Sequence, residues 1–156
     1  GAGWEEKLRY FEDEKKLERM KEAGFEGAHL AKIVVGAGWE EKLKYFEDEN
    51  KLERMKEAGF EGAHLATIVA NAGWEEKLRY FEDEKKLKRM KEAGFNGAQL
   101  AKIVYGSYWE EKLRKVLTKE VLDLLAKKIF THSEIALLCA KKSWRKEIES
   151  LLEKSF

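Results

Sequence analysis

Proline is absent from the 156 residues, and there is one cysteine, Cys139. Without proline nothing forbids helix at any position, and polyproline linkers are excluded. A lone cysteine excludes an intrachain disulfide; with no signal peptide in view, the expected setting is a reducing intracellular compartment. Net charge is nearly absent too. Lys and Arg number 31 and Asp and Glu 30, leaving +1, which sets up no overall field to gather nucleic acid or an anionic membrane. No apolar run approaches the ~18 residues of a membrane span, so no membrane partner is expected. No stretch alternates polar and apolar residues as a strand would. The phosphate-loop glycines, the nucleophile elbow and zinc-ligand spacings are missing as well. The chain is therefore not expected to be an enzyme, to carry a cofactor or metal, or to take a small-molecule substrate.

What is present is repetition. The stretch Gly3 to Ala37 returns almost unchanged as Gly38 to Ala72 and again as Gly73 to Ser107. Trp4, Trp39, Trp74, Trp109 and Trp144 stand 35 residues apart, and so do Phe25, Phe60, Phe95 and Phe130. A fixed period of this size marks a solenoid, whose units bury their apolar faces only against their neighbours. The recurring Trp and Phe are the expected repeat-packing core. Residues 108–156 keep the register but lose the consensus, as a C-terminal cap must. Gly1-Ala2 occupies the repeat position of Gly36-Ala37. That start in mid-register predicts a longer parent array, with an open N-terminal end able to stack on another copy.

Each unit reads as helices punctuated by glycine. In the second, Trp39, Leu43 and Phe46 recur on one helical face, and Glu40 and Glu41 sit in the first turn, where carboxylates suit the helix dipole. Leu52 and Met55 fall on the opposite side, so the phase slips near Asp48. Either one long helix bends there to follow the core or it breaks into two short ones near Asp48; with no proline or glycine at the slip, the bent helix is the favoured expectation. Gly59 suits a left-handed helix end, and Ala63 to Ala70 makes a short helix with Leu65, Ile68 and Val69 inward. Phe130 and Trp144 open the last short helix and a final helix ending near Phe156.

Few side chains invite chemistry. His29 and His64 are equivalent, but Gln99 replaces them in the third unit, and a metal needs several ligands converging at short spacing; they are expected to serve the start of the short helix. Cys139 replaces Val104 at a core position. The informative residues are those that vary. The first two units differ at five of 35 positions, as do the first and third. The densest variation lies in the segment between short and long helix: Val35-Gly36-Ala37, Ala70-Asn71-Ala72 and Tyr105-Gly106-Ser107. A constant framework with a variable tip is how modular binders give each repeat its own contact. Loops also drift freely.

With Leu65-Ala66-Thr67-Ile68-Val69 as the short helix, Gly36-Ala37, Asn71-Ala72 and Gly106-Ser107 as variable pairs, Gly38 and Gly73 as the loop glycine, and Leu43 and Leu78 as the first core leucine, the repeat resembles that of the transcription activator-like (TALE) effectors. The resemblance covers about three repeats. It implies a right-handed superhelix binding double-stranded DNA, one base per repeat through the tips. Two features depart from that family. Trp39-Glu40-Glu41 and Trp74-Glu75-Glu76 stand where its Gly-Lys-Gln approaches phosphate, and its helix-bending proline is missing.

The sequence thus predicts an all-α right-handed superhelical solenoid of 35-residue helix-loop-helix tandem repeats with a degenerate C-terminal cap. Its expected function is non-enzymatic recognition of a protein partner, with Gly36, Ala37, Asn71, Ala72, Gly106 and Ser107 as contact tips flanked by Val35, Ala70 and Tyr105. Two alternatives are a diverged TALE-like array on double-stranded DNA, and a consensus or designed repeat with no evolved ligand.

Overall fold

The computed structural model describes residues 3–155; Gly1, Ala2 and Phe156, which entered the sequence expectations, lie outside them. The described residues form thirteen α-helices and no strand. The first unit contributes α1 (Trp4–Glu12), α2 (Glu14–Glu22) and α3 (Gly27–Val34), the second α4 (Trp39–Glu47), α5 (Glu49–Glu57) and α6 (Gly62–Val69), and the third α7 (Trp74–Glu82), α8 (Glu84–Glu92) and α9 (Gly97–Ile103). The remainder folds as α10 (Trp109–Val116), α11 (Lys119–Ala126), α12 (His132–Cys139) and α13 (Trp144–Ser155). Helix α3 packs on α6, α6 on α9 and α9 on α12, while α4 lies against α2 and α7 against α5. This is an all-helical arrangement compatible with an α-solenoid of repeats.

The expected long bent helix is two helices. Asp13, Asp48 and Asp83 leave the helical region with ψ of 106°, 107° and 112°. Each then caps the helix that follows: Asp48 Oδ1 accepts the N–H groups of Asn50 at 3.0 Å and Lys51 at 3.3 Å. An aspartate accepts orphan amide protons at a helix start better than it serves a helix interior. It breaks the helix without glycine or proline, and the phase slip is the trace of that break.

Helices of eight or nine residues are marginal alone and depend on packing. Met20, Met55 and Met90, with Leu43, Leu78 and Leu113, are wholly buried. Phe25, Phe60 and Phe95 are buried, Phe25 against Phe46 of the next unit and Phe60 against Phe81, with ring centroids 4.9 Å apart in both pairs. Trp39, Trp74, Trp109 and Phe130 are half-buried against this core and Trp144 is buried. Trp4 departs from its expected core role and is 57% exposed. The rings of Trp39 and Tyr10, of Trp74 and Tyr45 and of Trp109 and Tyr80 meet edge to face; no described residue plays that part for Trp4.

Successive units approach backbone to backbone. Gly24, Gly59 and Gly94 end their helices at positive φ. A Cβ on Gly62 would lie 2.5 Å from the carbonyl oxygen of Gly24, and one on Gly97 would collide with Gly59 in the same way. In the last contact of this kind His132 takes the glycine's place, and its Nε2 donates to Ala93 O at 2.6 Å.

Candidate functional site

The three variable segments join α3 to α4, α6 to α7 and α9 to α10. Val35 is 78% exposed and Tyr105 53%; Gly36, Ala37, Ala70, Ala72 and Ser107 are exposed, and Gly106 and Asn71 half-buried. Asn71 folds back, its Nδ2 donating to Thr67 O at 3.0 Å. Val35, Ala70 and Tyr105 thus hold equivalent outward positions with different side chains, while Gly36 and Ala37 offer the surface mainly backbone.

A fourth varied residue belongs with them. Tyr108 stands where the earlier units have Gly38 and Gly73, is 61% exposed, and holds φ at +63°. A tyrosine in the left-handed region is strained. Its ring is held by the guanidinium of Arg145, 4.6 Å from the Tyr108 centroid and 4.8 Å from that of Trp144. Arg145 also donates from Nε to Glu111 Oε1 at 3.1 Å, and that bond holds the Glu111 carboxyl below its ordinary range. The glycine-to-tyrosine change was visible in the sequence at Tyr108, immediately after the third variable segment.

Beneath the tips lies a row of lysines that hydrophobic patterning did not single out. Lys42, Lys77 and Lys112 are 6%, 1% and 5% exposed. Lys112 Nζ donates to Tyr105 O at 3.4 Å, and Lys42 Nζ comes within 4.0 Å of a Cβ built on Gly36. An ammonium at this place suits the negative end of the short helix and its orphan carbonyls. Lys77 Nζ is buried with no hydrogen-bond partner among the described residues. Desolvation pulls all three lysines below the ordinary value, and Lys112 adds its repulsion at Lys77. Lysine reads as a surface residue from its type alone, so only its recurrence at this position in the second unit, the third unit and the C-terminal segment could have flagged them.

Carboxylates border each tip on its other side. Glu40 and Glu41, Glu75 and Glu76, and Glu110 and Glu111 occupy the first turns of α4, α7 and α10. Glu41 Oε2 turns back to within 3.7 Å of a Cβ built on Gly38, as Glu76 does at Gly73. The positive ends of these helices therefore face the protein's own carboxylates.

His29 and His64 have a local role. The backbone N–H of Glu26 donates to His29 Nδ1 and that of Glu61 to His64 Nδ1, both at 3.0 Å. Gln99 Oε1 does the same for Asn96 and Glu134 Oε1 for Thr131. One capping box thus accepts histidine, glutamine or glutamate at its third residue. No group of three His, Cys, Asp or Glu converges among the described residues. No described helix is long and apolar enough to cross a membrane. Cys139 is buried, its thiol pushed up to about 11 by desolvation.

None of the protein-family models, curated proteins or solved structures compared with the chain matches it.

Proposed function

We propose that the chain is a non-enzymatic recognition scaffold for a protein partner, built as a right-handed superhelical solenoid of 35-residue repeats over 3–37, 38–72 and 73–107 and closed by a cap at 108–156. The observation that carries this is the pairing of constant and varied parts. The core and caps are nearly the same in each unit, while Val35, Ala70 and Tyr105 present three different side chains to solvent from equivalent places. Each repeat thereby contributes its own contact. A protein is favoured over DNA because the tips are bordered by paired glutamates, whereas DNA affinity rests largely on cations that neutralise phosphate.

The test has two arms. Labelled mixed-sequence duplex DNA, followed by fluorescence anisotropy at low and then moderate salt, is expected not to bind. Binding that weakens steeply with salt would overturn the protein reading in favour of a TALE-like DNA array. Peptides selected on the protein from a displayed random library are expected to lose about tenfold in affinity, ~1.4 kcal/mol, when Asn71→Ala and Tyr105→Ala are combined. Unchanged affinity would remove the tips from the recognition surface.

A further inference from the structure

A second periodic feature lies away from the tips, on the flank where consecutive first helices meet. Between α1 and α4 is a groove of about 350 Å³ that includes Tyr10, Trp39, Lys16 and Glu47 in its lining. Between α4 and α7 is its counterpart of about 340 Å³, with Tyr45, Trp74, Lys51 and Glu82. In each, the tyrosine and tryptophan rings meet edge to face with centroids 6.4 Å apart. The tyrosine hydroxyl donates to the glutamate across the junction, Tyr10 to Glu47 at 2.6 Å and Tyr45 to Glu82 at 2.9 Å. The third junction keeps Tyr80 and Trp109, 5.8 Å apart, but has Leu117 at the position of that glutamate.

Each tyrosine face already holds a cation. Lys16 Nζ sits 4.8 Å from the Tyr10 centroid, Lys51 4.9 Å from Tyr45 and Lys86 4.5 Å from Tyr80. An aromatic face flanked by carboxylates is the chemistry that retains ammonium and guanidinium groups. The lining of the first groove carries four carboxylates, Glu6, Asp13, Glu40 and Glu47, against three cations, of which Lys16 is the seated one. The second carries four, Glu41, Asp48, Glu75 and Glu82, against three, including Lys51. With its own lysine turned away each groove has two carboxylates in excess. The rings of Tyr10 and Tyr45 are half-buried, as are Lys16 and Lys51, and a lysine held on such a face by roughly 0.5–1 kcal/mol is easily turned away. A stronger version of the same seat is filled at Arg145, between Tyr108, Trp144 and Glu111.

We propose that these grooves are a row of cation seats for an extended basic segment of a partner protein, arginine above all, with Lys16 and Lys51 as internal place-holders that the partner displaces. This rests on the scaffold reading and names the partner's chemistry, but it uses a different surface from the tips. Packed helices are about 8–10 Å apart, and three residues of extended chain at ~3.3 Å each span that distance. A basic residue at every third position is therefore the matched ligand, and occupying two seats at once multiplies the affinity of one.

The probe is a fluorescein-labelled peptide with four Arg-Gly-Gly units, read by anisotropy against the whole chain at moderate salt, with a citrulline-for-arginine peptide as the uncharged control. The arginine peptide is expected to bind and the citrulline peptide not to. The paired variant K16A/K51A empties two seats, whereas K21A/K56A removes the same charge from the last turns of α2 and α5. The first is expected to tighten binding about fivefold more than the second, two contacts of roughly 0.5 kcal/mol each. Replacing both rings, Y10L/Y45L, is expected to abolish binding, while Y10F/Y45F keeps the faces and most of the affinity; circular dichroism confirms that each variant folds. Equal effects of the two lysine pairs, or retention of binding in folded Y10L/Y45L, would overturn the seats. Absence of arginine-peptide binding would do so too, and if N71A/Y105A still weakens library-selected peptides the scaffold reading survives that failure. Peptide binding with no tip-dependent ligand would leave the seats and remove the tips.

Discussion

Lys77 concentrates the energetic tension of the chain in one residue. It is 1% exposed, its ammonium has no hydrogen-bond partner among the described residues, and its titration is depressed by burial first and by Lys112 second. A lysine whose folded value lies below the ordinary 10.5 disfavours folding while it is charged. Between the depressed value and the ordinary one, the unfolded chain binds the extra proton, so stability rises with pH across that window. Lys77→Met keeps the stem and removes the charge. It is expected to raise the free energy of urea unfolding at neutral pH by about 1–3 kcal/mol, the usual cost of an unsatisfied buried polar group. The gain should shrink as pH approaches 10. A destabilised variant, or a gain independent of pH, would show that the ammonium is satisfied in solution. Nothing in the hydrophobic pattern distinguished this lysine from its exposed neighbours Glu76 and Arg79.

Among the elements, the aspartate breaks decide the architecture of each unit. Asp48→Ala removes the acceptor for Asn50 and Lys51 and is expected to cost about 0.5–2 kcal/mol of stability, the measured range for lost N-caps, with Asp48→Asn or Asp48→Ser recovering most of it. An alanine variant as stable as the parent would mean that packing alone sets the break. The helices themselves were legible: the Trp-Leu-Phe spacing of α4, the glycine end of α5 and the apolar face of α6 could all be read from residue spacing. The break carries no residue that forbids helix; Asp48 makes it by preferring the start of the next one, and that preference leaves no proline or glycine in the sequence to mark it. The variable tips were legible from differences between copies. The grooves were not, because Tyr10, Trp39 and Glu47 come from two units, and linear spacing does not report which face of one meets the next.

At the scale of the whole molecule, cohesion comes from contacts between units. At Gly62 and Gly97 backbone meets the backbone of the preceding unit with no room for a Cβ, so Gly62→Ala drives one into Gly24, which has no flexible tip to yield. The variant is expected to lose about 1–3 kcal/mol, in the range of overpacked interiors, and to loosen amide-exchange protection on both α3 and α6. Protection changes confined to α6 would place the strain within one unit. The C-terminal segment handles the same contact with His132 and its bond to Ala93, a substitution the glycine pattern alone gave no reason to expect.

The approach of one glycine to another also has a metrical consequence. Side chains at a junction can swell, shrink or change charge, but a separation fixed where peptide oxygen faces α-carbon has no slack to pass on. The chain therefore carries its own graduated scale: Val35, Ala70 and Tyr105 can be exchanged as freely as labels on a ruler, because the marks beneath them are cut in backbone.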